Sequence, residues 1–392
     1  MFLLLSNFRK FAGRIVPALS ILWLAACQPV SLNGSGGPGI NTNAPVPVAL
    51  LVPGGSENPS DNLNANSLEN AARLAIADLE GVKIDLRVYN TAGNPSQAAS
   101  VAVQAVNEGA KIIIGPLYAQ SANAVGNAVA SRNVNVLAFS NNAQIAGGNV
   151  FILGPTFENT ANRLVQYAKR QGREKIAVVH ARTQAGEIGR AAISNAISRA
   201  GATPAGVASY EFSQDGIINA VPQIARTIKS GGAQAVFFTA STDAALPLLT
   251  QMLPENGVNN NVIKYIGLTR WDIPPATLTL PGVQGAWFAM PHPGMTAKFS
   301  ARYSAAFGGA PLPIAGLSYD GIAAIGALVK SGKANALTTT ALTQGAGFVG
   351  ANGIFRLRPD GTNERGLAVA QIQNNQVVIV DAAPSSFGGA GF

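Results

Sequence analysis

Val46-Pro47-Val48-Ala49-Leu50-Leu51-Val52 is an unbroken apolar run that closes on the turn Pro53-Gly54-Gly55-Ser56. It is too short for an ordinary helix and shows no polar alternation, so it reads as a strand buried on both faces. The next apolar positions, Leu68, Ala72, Ala75, Ile76 and Leu79, recur at helical spacing and predict a helix from about Ser67 to Leu79. A second strand follows at 84–89. Asn94-Pro95 then opens a helix that runs to Glu108 and stops at Gly109. A third strand, Ile112 to Ile114, ends at Gly115-Pro116. An Ala/Val-rich helix to Ser131 and a strand from Val134 to Phe139 complete the first pattern.

The alternation restarts further along. Helices are expected near 157–170, 189–200, 217–230 and 243–253, separated by strands near 176–180, 207–210, 235–239 and 263–268. Buried strands divided by helices imply parallel sheets with helices on both faces. The expected fold class is therefore α/β, with two Rossmann-like lobes of parallel sheet around a central cleft. The first lobe takes 46–155 and part of 290–385, and the second takes 156–289. Helices at 295–307 and 317–331 return in part to the first lobe. Short antiparallel strands are expected at 353–357, 367–372 and 377–380.

The N-terminus reads as an export signal. Arg9, Lys10 and Arg14 precede a mostly apolar run from Ile15 to Ala25, too short to span a bilayer as a mature helix. Leu24-Ala25-Ala26-Cys27 is similar to the lipobox of bacterial lipoproteins, which implies removal of residues 1–26 and lipidation of Cys27. Gln28, rather than Asp, then implies transfer to the outer membrane of a Gram-negative cell. Residues 27–45, rich in Gly, Ser, Asn and Pro, read as a flexible tether. Gly34 to Gly39 formally fits a dinucleotide-binding glycine pattern, but no strand precedes it and Pro38 interrupts it.

Composition narrows the function. The chain has 392 residues, 47% hydrophobic, enough for two compact lobes, and its one Cys rules out internal disulfides. The formal charge of +8 includes three signal cations and forms no basic-aromatic clusters, so nucleic acid is excluded as a partner. Membrane contact is expected through the lipid anchor only, and no cofactor or metal is implied. His180 and His292 lie on separate segments with no metal-ligand spacing, and neither a nucleophile elbow nor a Ser-x-x-Lys pair is present. The chain reads as a binding protein rather than an enzyme.

The order of Val48-Ala-Leu-Leu-Val-Pro-Gly-Gly, Asn70-Ala-Ala-Arg-Leu-Ala-Ile, Val88-Tyr-Asn-Thr, Ile113-Ile-Gly-Pro, Val136-Leu-Ala-Phe-Ser and Gly353-Ile-Phe-Arg with Asp360-Gly resembles the type I periplasmic-binding-protein family, the branched-chain amino-acid receptors in particular. Ile113-Ile114-Gly115-Pro116-Leu117 and Arg365 to Gln371 look closer to a narrower group, the lipoproteins that activate penicillin-binding proteins. That group implies a peptidoglycan synthase as partner. The wider family implies an ABC permease and a small amino-acid-like ligand. The large helical-repeat domain of the activators has no counterpart here.

In parallel α/β sheets ligands sit at the carboxyl ends of strands, beside helix N-termini. In the first lobe this singles out Ser56, then Tyr118 and Ser121, then Ser140, Asn141 and Asn142. In the second it singles out Gln184 and Glu187, then Ser241 with Thr242 and Asp243, then Thr269, Trp271 and Asp272. The same polar residues are common helix caps. The resemblance adds two departures: Ile188-Gly189 stands where the receptors carry Tyr-Gly, and Thr269 stands where many carry an acid, with Asp272 as its substitute. These departures and the outer-membrane anchor favour the activator reading, with the transport receptor as the alternative.

Overall fold

A computed structural model describes residues 37–242 and 245–387. The segment read as an export signal, Cys27, Gln28 and Asp243 lie outside the described residues. Five strands form the first sheet: β1 (Val46–Val52), β2 (Ile84–Asn90), β3 (Ile112–Ile114), β4 (Asn135–Ala138) and β5 (Val150–Ile152). All pair in parallel, in the order β2-β1-β3-β4-β5. Between them run α1 (Pro59–Ala77), α2 (Pro95–Asn107) and α3 (Ala119–Val129). The two-residue period of β1 divides its side chains between two cores. Val48, Leu50 and Val52 join the helices on one face, whereas Ala49 and Leu51 join Ala98, Ala102 and Val125 on the other.

After α4 (Phe157–Arg170) the second sheet begins. It holds β6 (Lys175–Ala181), β7 (Thr203–Tyr210), β8 (Ala235–Phe238), β9 (Lys264–Gly267) and β10 (Trp287–Met290), with α5 (Gln184–Arg199), α6 (Gln214–Ser230) and α7 (Ala245–Glu255) between strands. The chain then returns to the first lobe as α8 (Pro293–Phe307) and α9 (Ala315–Val329), and Leu317, Ile322 and Ile325 pack with Val48 and Leu50. A small antiparallel sheet of β11 (Phe348–Gly350), β12 (Gly353–Leu357) and β13 (Asn363–Arg365) leads to β14 (Ala368–Gln373) and β15 (Gln376–Asp381). These last two extend the second sheet antiparallel beside β10, giving the order β15-β14-β10-β9-β8-β6-β7.

The chain thus passes between lobes three times, after β5, after β10 and after β13. The α/β class, the paired parallel sheets and the C-terminal antiparallel strands agree with the sequence reading. Some boundaries differ. α1 starts at Pro59, well before Ser67, because Asn58 caps it and Pro59 fits its first turn, although that turn has no apolar stripe. α5 likewise starts at Gln184 under the Thr183 cap. The segment expected to be a free tether up to Pro45 is held at Ile40, which is buried in the first core and bonds the Ala334 carbonyl at 2.8 Å.

Candidate functional site

Strand order decides where a ligand can sit. In the first sheet β2 lies on one side of β1 and β3 on the other, so the connections diverge between β1 and β3. The second sheet repeats this around β6, between β6 and β8. Such switch points open a crevice at the strand carboxyl ends. The crossovers leave the sheets from the carboxyl ends of β5 and β10, so both crevices open on the cleft between the lobes.

Ser56 follows β1 at the first switch point. Its Oγ accepts the Asn58 amide at 3.1 Å, and its carbonyl accepts the Asn62 side-chain amide at 3.0 Å. The loop after β3 reaches Tyr118 through Gly115, whose φ is +85° and whose missing Cβ would lie 2.2 Å from the Leu51 carbonyl. Only glycine fits there. Tyr118 stands at the N-cap of α3, and no side chain caps that helix among the described residues. Asn58, Asn94, Thr156, Thr183 and Ser213 cap α1, α2, α4, α5 and α6. The first-turn amides of α3 therefore remain available to an anion, with the helix dipole behind them.

The Tyr118 ring is 39% exposed, and its hydroxyl donates to Asp61 Oδ1. That bond, reinforced by burial and by the Asp61 charge, pushes the phenol up to about 12. Asp61 itself, in the first turn of α1, is only 5% exposed. The sequence reading missed it because the apolar stripe of α1 begins later. Asn58-Pro59 was the signal that a helix, and so its acidic first turn, starts directly after the β1 loop.

At the second switch point Gln184 is the exposed first residue of α5. Glu187, also exposed, bonds Arg190 at 2.8 Å and lies 3.4 Å from His180 Nδ1. The Arg190 bond chiefly holds its carboxyl below the usual range. After β8, the half-buried Ser241 accepts the Leu246 amide at 3.3 Å, and Thr242 donates to the Ile273 carbonyl at 2.8 Å.

The remaining candidates lie elsewhere. Ser140, Asn141 and Asn142 follow β4, one strand away from the switch. Ser140 Oγ accepts the Asn142 amide and Asn142 Oδ1 the Gln144 amide, so both shape the turn, while Asn141 is exposed. Thr269 follows β9 and donates to the Ala240 carbonyl at 3.4 Å. Asp272, expected to substitute for a ligand-pairing acid, is held by Arg270 through two bonds, one of them 2.6 Å, so its charge is already matched. Ser121 is enclosed within the first lobe, its Oγ unpartnered among the described residues. Trp271 needs correction: it is fully buried in the second core, 6.1 Å from the Phe238 ring, and does not face the cleft. Apolar packing outweighs its position after a strand.

A polar cavity of about 380 Å³, lined by none of the switch-point residues, lies between α4 and the β12–β13 hairpin. Its charges are largely matched internally, Arg163 by Asp381 and Arg358 by Glu364. The switch points are therefore the candidate ligand site.

Residues 45–376 match the family described as periplasmic binding protein. No curated relative matches the sequence. Among solved structures, a Rhodospirillum rubrum protein assigned to branched-chain amino-acid ABC transport aligns with a TM-score of 0.72 at 17% identity, covering 86% of this chain and all (100%) of the other. A Burkholderia xenovorans periplasmic ligand-binding protein of a branched-chain amino-acid ABC transporter gives 0.66 at 19% identity, over 88% and 97%. A Thermotoga maritima leucine-binding protein gives 0.55 at 17% identity, over 86% and 98%. At these identities the likeness shows the fold. The two motifs that suggested the activator reading have structural uses here: Gly115 relieves a backbone clash and Arg365 pairs with Asp320. The chain belongs to the periplasmic binding protein family and shares the type I fold of these neighbours.

Proposed function

We propose that the protein is a non-catalytic solute receptor of an ABC transporter, anchored through lipid on Cys27 and exposed to the periplasm. Its lobes close over an amino acid or a related small carboxylate and present it to an inner-membrane permease. The observation that carries this reading is the pair of matched switch points, one of which holds the uncapped N-terminus of α3. Its amides seat the solute carboxylate. The exposed Tyr118 ring covers the apolar part of the solute, and Ser56 borders it. Gln184, Glu187 and Ser241 meet the solute from the second lobe on closure.

Small-angle scattering of the purified protein tests this. Millimolar branched-chain amino acids are expected to reduce the radius of gyration as the lobes close. An unchanged profile with every amino acid and with related small carboxylates would contradict the proposal.

A further inference from the structure

Asp61, 5% exposed in the first turn of α1, is only partly matched by the groups around it. Its Oδ1 accepts the Tyr118 hydroxyl, yet Oδ2 has no hydrogen-bond partner among the described residues. No Lys, Arg or His pairs with it among those residues either, whereas Glu187 is matched by Arg190 and Asp272 by Arg270. A carboxylate largely withdrawn from water and left without a cation is destabilising. The N-terminal turn of α1 and one phenol offset only part of that.

The surroundings keep Oδ2 approachable. Gly93, in the loop after β2, has φ of +66°, and a Cβ there would lie 3.0 Å from Asp61 Oδ2 and 3.3 Å from the Tyr118 ring. The absence of a side chain leaves room beside the oxygen, under the exposed edge of Tyr118. This opening adjoins the switch point where the amides of α3 lack a cap.

We infer that Asp61 is the cation-recognising residue of the cleft, so that the bound solute carries an ammonium group as well as its carboxylate. The inference rests on the solute-receptor reading and deepens it. It moves recognition of the positive group to the first lobe, in place of the second-lobe acid that Thr269 lacks and Asp272 does not supply. The ammonium approaches Oδ2 beside Gly93, with the negative face of the Tyr118 ring as a second attraction.

Calorimetry on the purified protein tests it. Each of the twenty L-amino acids is titrated, and the tightest is compared with the same molecule lacking its amine, such as 4-methylpentanoate for L-leucine. The wild-type protein is expected to prefer the amino acid, and Asp61→Asn to weaken it about tenfold or more, as loss of a charged hydrogen bond does. Affinity for the deaminated acid stays within about twofold. A merely structural Asp61 would shift both affinities together. Should Asp61→Asn fail to fold, Gly93→Ala, which crowds Oδ2 and leaves the charge, must narrow the preference for the amine. Tyr118→Phe, which frees Oδ1, must retain it. An unchanged preference in Asp61→Asn, or in Gly93→Ala, would overturn the assignment and leave the receptor reading standing. Binding of the deaminated acids alone would overturn the Asp61 assignment and leave the receptor reading standing, whereas failure of every amino acid and every deaminated acid to bind the wild-type protein would overturn the receptor reading itself.

Discussion

Arg365 and Asp320 form an ion pair at 2.8 Å with both side chains enclosed, 5% and 0% exposed. The pair sits where the chain passes between lobes. Arg365 Nε also donates to the Leu153 carbonyl at 3.1 Å, its amide donates to Asn159 Oδ1 at 2.9 Å, and Asp320 Oδ1 accepts the Ala351 amide at 2.7 Å. Asn363 adds bonds to the Ile152 and Gly154 carbonyls, each 2.8 Å. One charge pair thus ties the end of β5, the start of α4, α9 and β13 into a common pivot.

Breaking that pair from one side leaves a buried, unmatched carboxylate. Burial already pushes the Asp320 carboxyl up, and Arg365 opposes this. Arg365→Met is expected to lose about 3–5 kcal/mol of stability in urea titrations. The double change Arg365→Met with Asp320→Asn should recover part of that loss, since no bare charge remains.

Glu364 provides a pH signature near the same pivot. Burial opposes its ionisation, but hydrogen bonds from Arg358 and Arg356 outweigh this and hold the carboxyl below its ordinary 4.5. As pH falls, the unfolded chain takes up the proton before the folded one does. The stability Glu364 supplies is therefore complete above about 4.5 and is lost as pH falls through its lower folded value. Glu364→Gln should flatten the acid limb of a stability profile recorded from roughly pH 6 to pH 3. A limb of unchanged steepness would contradict the account.

Trp271 is expected to behave as a core residue. Trp271→Ala should lose about 3–5 kcal/mol, as large aromatic truncations do. Trp271→Phe, which also removes an indole N–H unpartnered among the described residues, should lose less. Neither should alter the relative affinity for different solutes.

Gly115→Ala tests the first switch point. The new Cβ would meet the Leu51 carbonyl at 2.2 Å and sit on a backbone of φ +85°. A loss of at least about 1 kcal/mol is expected, together with weaker solute binding as the start of α3 moves. A variant with wild-type stability would contradict this account of the loop.

Much of the fold was legible because β1, β3, α2 and α4 carry their own punctuation: continuous apolar strands, Asn94-Pro95, and a stripe that begins at Phe157. β5, β10, β11 and β13 were not, since three or four residues hold no periodicity, and their pairing partners define them. The site was legible only as a set of loops. Sequence placed Tyr118 and Ser56 after their strands, but strand order singles out those two loops from the rest. The Tyr118 partner, Asp61, is 57 residues away, a contact no local pattern announces. Trp271 misled for the opposite reason, because a position after a strand says nothing about which side of the loop is packed.

The most direct test of the receptor account is thermal denaturation of the purified protein against a panel of amino acids, their deaminated acids and muropeptides. A ligand at a hundred times its Kd stabilises the folded state by about 2.7 kcal/mol, a rise of several degrees in Tm. The account predicts such a rise with at least one free amino acid. Silence across the amino acids, or a rise with muropeptides alone, would contradict it.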